Sequence, residues 1–225
     1  MIGVVGVWPL ARGPDLPPEE TPRPPQRLRD WRSHPPFVRF LVWSLGIHVD
    51  LALAPALQPR LYLEAGVGPD LMARWQAAAF YPAMILGILA AARLLPRLHG
   101  RMTLLIASVL WIAAEAAILG LDRVNAAWMG PLSQTLLGLA KGIWSVAWIS
   151  RLQEVIPERD PRWSALVLGL GASVSLAACL VMGPLTPTLT EALAGGTTTV
   201  AWVLVAVGLG VRILMTPLLL RREAT

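Results

Sequence analysis

Six long apolar runs, joined by short connections rich in arginine, constrain this chain more than any other feature. They fall at about 37–58, 72–95, 102–121, 127–150, 164–188 and 198–220. Each is long enough to cross roughly 30 Å of hydrocarbon as a helix, which takes about 20 residues. A backbone in lipid must satisfy its own N–H and C=O groups, so runs of this kind predict helices. Composition agrees: 55% of the 225 residues are hydrophobic and only 15% charged, where a soluble domain carries about 25%. The expectation is an all-α integral membrane protein, a six-transmembrane-helix bundle over residues 37–225, with the lipid bilayer as its solvent.

The connections carry an orientation signal. Arg23, Arg27, Arg29 and Arg32 precede the first run; Arg93, Arg97 and Arg101 lie between the second and third. Arg151, Arg159 and Arg162 lie between the fourth and fifth, and Arg221 and Arg222 follow the last. The alternate connections are poorer in arginine, so the positive-inside rule places the first group, and both termini, in the cytoplasm. The predicted location is the plasma (inner) membrane, multi-pass. Trp31, Trp75, Trp128 and Trp163 fall near run ends, where indole rings prefer the interface. Residues 1–36 differ in kind. RGPDLPPEETPRPPQRLRDWRSHPP is rich in Pro, Arg and Glu and reads as a flexible cytoplasmic segment. MIGVVGVWPLA before it is apolar but too short to span, and it resembles a partial helix end.

The net charge of +5 does not indicate nucleic acid, because the arginines sit in clusters between apolar runs. Cys179 is the single cysteine, and His34, His48 and His99 are scattered without metal-ligand spacing. No nucleophile–base pair, metal cluster or phosphate loop stands out, so no enzyme, cofactor or metal is expected.

Four ionisable residues lie well inside runs: Asp50, Glu115, Lys141 and Arg212. A charge at the bilayer centre costs at least about 2.5–3.5 kcal/mol on insertion scales, so such groups face protein or water and find partners. Asp50 and Lys141 are the candidates for substrate or proton coupling, each the other's expected counterpart. Glu115 and Arg212 are candidates for a structural ion pair, if the third and sixth runs touch. Arg212 would otherwise extend its head to the interface. His48, about 200° around the helix from Asp50, is expected to face elsewhere as a packed histidine. Gln134, Gly138, Lys141, Ser145 and Trp148 share one helical face, polar, small and aromatic by turns, which suits a wet cavity. Gln134, Ser145 and Trp148 therefore join Asp50 and Lys141 as candidates. Small residues allow helices to approach in lipid. Gly138 with Gly142, and Ala165, Gly169, Ser173 and Ala177 at four-residue steps, are the expected packing stripes.

Several segments together resemble a known family. DWRSHPPFVRFL (Asp30–Leu41) is similar to its central cytoplasmic loop entering the seventh helix. RLLPRLHGRMTLL (Arg93–Leu105), with Arg93, Arg97, Gly100 and Arg101, resembles its tight basic loop between the eighth and ninth helices. VIPERDPRWSALVLGLGAS (Val155–Ser173) and the Gly183-Pro184 pair resemble the entry and outer end of its eleventh helix. In this order they resemble the C-terminal, six-helix half of a major facilitator superfamily (MFS) transporter. The resemblance implies alternating access by two six-helix halves around a central site. It also implies that the first and fourth helices line the cavity, here those carrying Asp50 and Lys141.

Such a transporter has two halves, and this chain matches one. The expected function is secondary transport of an unidentified small solute, in company with a second six-helix half or a copy of the chain. The alternative is a non-transporting scaffold or assembly subunit of a larger membrane complex. Met1 within what resembles a helix end also fits a fragment of a longer protein. A central Lys suits an anionic group, and a central Asp a cation or proton.

Overall fold

In the computed structural model, residues 34–156, 161–192 and 196–220 are described, and they are helical almost throughout, with no strand among them. The helices are α1 (Pro35–Glu64), α2 (Pro69–Trp75), α3 (Tyr81–Leu119), α4 (Ala126–Val155), α5 (Pro161–Ala192), α6 (Gly196–Met215) and α7 (Pro217–Leu220). A π-helical turn, Gln76–Phe80, joins α2 to α3. The opening apolar segment, the Pro/Arg-rich segment up to Ser33, Trp31, and Arg221 with Arg222 lie outside the described residues, as do the side chains of Gly183 and Pro184.

Helix α1 runs past the apolar stretch expected at 37–58, because Gln58, Arg60 and Glu64 continue it with a polar last turn. Arg60 and Glu64 pair at 3.7 Å across one turn. It ends where Gly66 adopts a positive φ of 81° and the Val67 N–H bonds back to the Tyr62 carbonyl at 2.9 Å. That is a left-handed cap which glycine adopts without a Cβ penalty.

The π turn has a local cause. Pro82 lacks an N–H and its ring crowds the carbonyl four residues earlier, so the preceding turn widens. The Tyr81 N–H accordingly reaches the Gln76 carbonyl. At the other end of this segment, α3 breaks at His99, whose φ of 58° and ψ of 159° are not helical. Ala91 and Ala107 nonetheless join one buried cluster with Ile143. A straight helix would hold the two alanines about 24 Å apart, so the chain reverses at His99. The basic connection expected between the second and third runs is thus compressed to about one non-helical residue. Gly100 is buried there, its N–H 3.4 Å from Glu154 Oε1, while Arg151 Nη1 pairs with Glu154 Oε2 at 2.8 Å. Arg93 and Arg97 are exposed and Arg101 is half-buried.

Helices α3 and α4 pack closely through glycine. A Cβ on Gly87 would collide with the Leu139 carbonyl, one on Gly138 with the Phe80 carbonyl, and one on Gly142 with the Met84 carbonyl. Only a residue without a side chain lets backbones approach this far. The other stripe behaves differently. Ala165, Gly169, Ser173 and Ala177 on α5 are all exposed, and a Cβ on Gly169 would meet nothing within 4 Å. The expectation that this stripe packs is not met among the described residues, because α5 turns other positions, such as Trp163, Val167 and Gly171, toward α1.

Helix α1 touches α3, α4, α5 and α6, and its two ends differ. Near its start, Phe37 meets Trp163 edge-on at 5.0 Å, and Phe40 lies 5.9 Å from Trp148. Near its end, Leu61, Tyr62 and Ala65 join Ile118, Ala126, Ala201 and Val205 in a buried cluster. Trp163 is 1% exposed, so it packs inside and does not occupy the interfacial position expected of it. Trp128, at 60% exposure, fits that expectation. By length and composition, two helical stretches are apolar enough to cross a membrane, Pro69–Leu119 and Thr199–Leu219. Trp163–Ala178 is a shorter apolar helix.

Candidate functional site

Asp50 sits at the midpoint of α1 and is fully buried. Its partner is Arg212 of α6, not Lys141. Arg212 Nε donates to Asp50 Oδ2 at 2.7 Å, and Arg212 Nη2 donates to the same oxygen. Arg212 is itself fully buried, so it does not extend toward an interface. The pairing follows from how α6 approaches α1. Gly208 stands one turn before Arg212, and a Cβ there would lie 2.6 Å from Asp50 Oδ1. A glycine at this point lets α6 settle against the carboxylate, and the residue four positions on then covers it. The expected Asp50–Lys141 pair is thereby replaced by Asp50–Arg212.

Glu115 of α3 completes a cluster of three where α3 meets α6, but the ion pair that Arg212 makes is with Asp50 and not the one expected with Glu115. Glu115 is fully buried and near enough to interact electrostatically with both Asp50 and Arg212. Glu115 Oε1 accepts the indole N–H of Trp111 at 3.0 Å, one turn earlier on the same helix. The Arg212 guanidinium lies over the Trp111 ring, 4.2 Å from its centroid, in cation–π geometry. Three polar atoms in the cluster lack partners: Asp50 Oδ1, Glu115 Oε2 and Arg212 Nη1. Two carboxylates against one guanidinium leave one negative charge in excess. A single proton taken up by the carboxyl pair removes that excess and supplies the donor that two facing acids otherwise lack.

Trp111 also lines a cavity of about 400 Å³ between α1, the π turn, α3 and α4. Gln58 and Tyr62 of α1, Gln76 and Phe80 of the π turn, and Gln134 and Lys141 of α4 contribute to its wall. The Tyr62 hydroxyl lies 2.7 Å from Ser133 Oγ and accepts from Gln134 Nε2 at 2.9 Å, tying α1 to α4. Gln58 is 6% exposed, and its Nε2 has no partner. Lys141 is exposed to the cavity, with its ammonium 5.8 Å from the Phe80 ring centroid. Among the described residues no carboxylate lines it.

Of the expected α4 face, Gln134 and Lys141 reach the cavity, while Ser145 and Trp148 do not. Ser145 Oγ turns back to the Gly142 carbonyl at 2.9 Å. Trp148 Nε1 donates to Ser44 Oγ at 3.2 Å, and its ring fills the space between Phe40 and Trp144. The face is continuous in α4, but aromatic packing against α1 closes the cavity below Lys141. His48 is a packed histidine, as expected, with Nδ1 2.7 Å from the Ser44 carbonyl and its ring against Gly171. The sequence reading missed Gln58, Tyr62, Gln76, Phe80 and Trp111. A signal existed for some of them: Leu51, Gln58 and Tyr62 recur at helical spacing, and Trp111 and Glu115 stand one turn apart.

No protein-family model, curated protein sequence or solved structure matches this chain.

Proposed function

We infer that the chain is a membrane-embedded half of a secondary transporter of the MFS kind, moving a small solute in company with a second six-helix half or a copy of itself. In this reading six helical segments cross the plasma membrane, with α3 contributing two on either side of His99, and both termini are cytoplasmic. Support comes from the rows of apolar side chains facing outward. Ile85, Leu86 and Leu89 on α3 and Leu168, Leu176 and Leu180 on α5 are each more than half exposed. Water would penalise such rows, whereas lipid does not.

The observation that carries the transport reading is the shared wall. A solvent-sized cavity and a buried Asp–Arg–Glu cluster meet at one indole, Trp111. Ionisable groups at this depth mark ion and proton routes. The Asp50–Glu115 pair is the site where a proton binds and leaves, and Arg212 alternates between one carboxyl and two. Solute in the cavity would act on the cluster by shifting Trp111.

The test is uptake or efflux by the full chain, with its second half where one is needed, across a pH series. Asp50→Asn should abolish or flatten the pH dependence. Unchanged activity with an unchanged pH profile would remove the carboxyl pair from the mechanism.

One observation favours the scaffold alternative. The small-residue stripe Ala165, Gly169, Ser173 and Ala177 is exposed among the described residues and suits close approach of a foreign helix. A scaffold would co-purify with a larger membrane complex and would tolerate Lys141 and Asp50 substitutions that preserve packing.

A further inference from the structure

The cavity has a chemical character of its own. Among the described residues its one charged lining residue is Lys141 of α4, and no acid stands beside it. Among the described residues Lys141 makes no ion pair, and its ammonium rests near the edge of cation–π range from Phe80. Gln58 adds a second unsatisfied donor. An amide nitrogen that is buried without a partner costs about 1–3 kcal/mol, so a turn of the Gln58 side chain, which contributes to the cavity wall, toward a solute's acceptor would be favoured. The rest of the wall combines rings and apolar chains, Phe80, Tyr81, Trp111, Leu51 and Leu137, with the amides of Gln76 and Gln134. A volume of about 400 Å³ is within the range of small-molecule pockets, roughly 300–1,000 Å³.

We propose that this cavity binds a small organic monoanion with a flat, aromatic-sized body, its negative charge answered by Lys141 and an acceptor oxygen by the Gln58 amide. A cation is disfavoured there, because it would meet an ammonium and no carboxylate. A fully neutral apolar solute would leave both donors unsatisfied. The carboxyls that could attract a cation, Asp50 and Glu115, are already turned to Arg212 and Trp111. The inference names the solute class for the transport reading above and rests on the same cavity.

The test uses the purified full chain in detergent or nanodiscs and one ring carrying three charges: 4-acetylbenzoate, 4-acetylbenzamide and 4-acetylbenzylamine. Binding is read by calorimetry and by indole fluorescence. The carboxylate should bind at least about tenfold tighter than the amide, since a hydrogen bond to a charged group contributes that much, and the amine should bind weakest. Lys141→Met should weaken the carboxylate about tenfold and Lys141→Arg should restore most of it. Gln58→Leu should weaken it about fivefold. Equal binding of the three rings, or tighter binding of the amine, overturns the proposal, as does unchanged carboxylate affinity in folded Lys141→Met. If that variant fails to fold, the charge series on the unaltered chain decides alone. Carboxylate binding by a chain that moves nothing keeps this inference and removes transport. Transport of a cation through the cavity does the reverse.

Discussion

In the cavity wall, Lys141 and the Gln58 amide offer hydrogen bonds that no neighbouring acid accepts. In the cluster beside it, Asp50 and Glu115 stand by one guanidinium, and one oxygen of each acid and Arg212 Nη1 go unsatisfied. Trp111 belongs to both, presenting its ring to Arg212 and its N–H to Glu115 while lining the cavity. The two regions therefore differ in what they lack: the cavity wall lacks an acceptor, whereas the cluster leaves two acceptor oxygens and one donor nitrogen unpaired. The cavity can be completed by a solute. The cluster is closed from all sides and can be completed only by something as small as a proton.

This contrast predicts unequal responses to substitution. The largest effect should come from Arg212→Met, which strands two buried carboxyls. Loss of one partner of a buried pair costs about 3–5 kcal/mol, so thermal unfolding in detergent should shift strongly downward. Much of the loss should return in the triple change that adds Asp50→Leu and Glu115→Leu. A mild effect of Arg212→Met alone would mean that the cluster is wet and resembles the cavity after all.

Trp111→Phe should come next, because it touches both regions. It removes the N–H donor to Glu115 and weakens the cation–π contact, together about 1–3 kcal/mol. It should also alter carboxylate binding in the cavity, and an effect confined to one region would break the link between them. The smallest effect on the fold should come from Gln58→Leu. It replaces an unsatisfied buried donor by an apolar group of similar size, which is nearly neutral or stabilising. A large loss of stability would show that the Gln58 amide already serves the fold.

The helices were legible in the sequence because their signals are local. Apolar runs and the break near Pro96–Arg101 follow from residue type and order alone. Half of the candidate site was legible for the same reason. Asp50 and Glu115 were conspicuous as acids in apolar runs, and Gln134 and Lys141 as one face of α4. What could not be read was partnership. Asp50 lies far from both Lys141 and Arg212 along the chain, and one bare glycine, Gly208, decides between them by admitting α6 to the carboxylate. The Trp111 role was hidden because an indole one turn from a glutamate is ordinary until a guanidinium lies over it.

The two small-residue stripes divide the matter most clearly. Gly138 with Gly142, and Ala165 with Gly169, are equivalent as patterns, and the sequence by itself determined only that each permits a close approach. Which one is used was decided by the tertiary structure. The reversal at His99 returns the chain along itself so that Gly87 meets Gly142 on α4, while α5 turns Trp163, Val167 and Gly171 toward α1 and leaves Ala165, Gly169, Ser173 and Ala177 outside. The physical reason is that helix formation depends on a residue and its near neighbours, whereas packing is a competition among faces that only the assembled chain brings together.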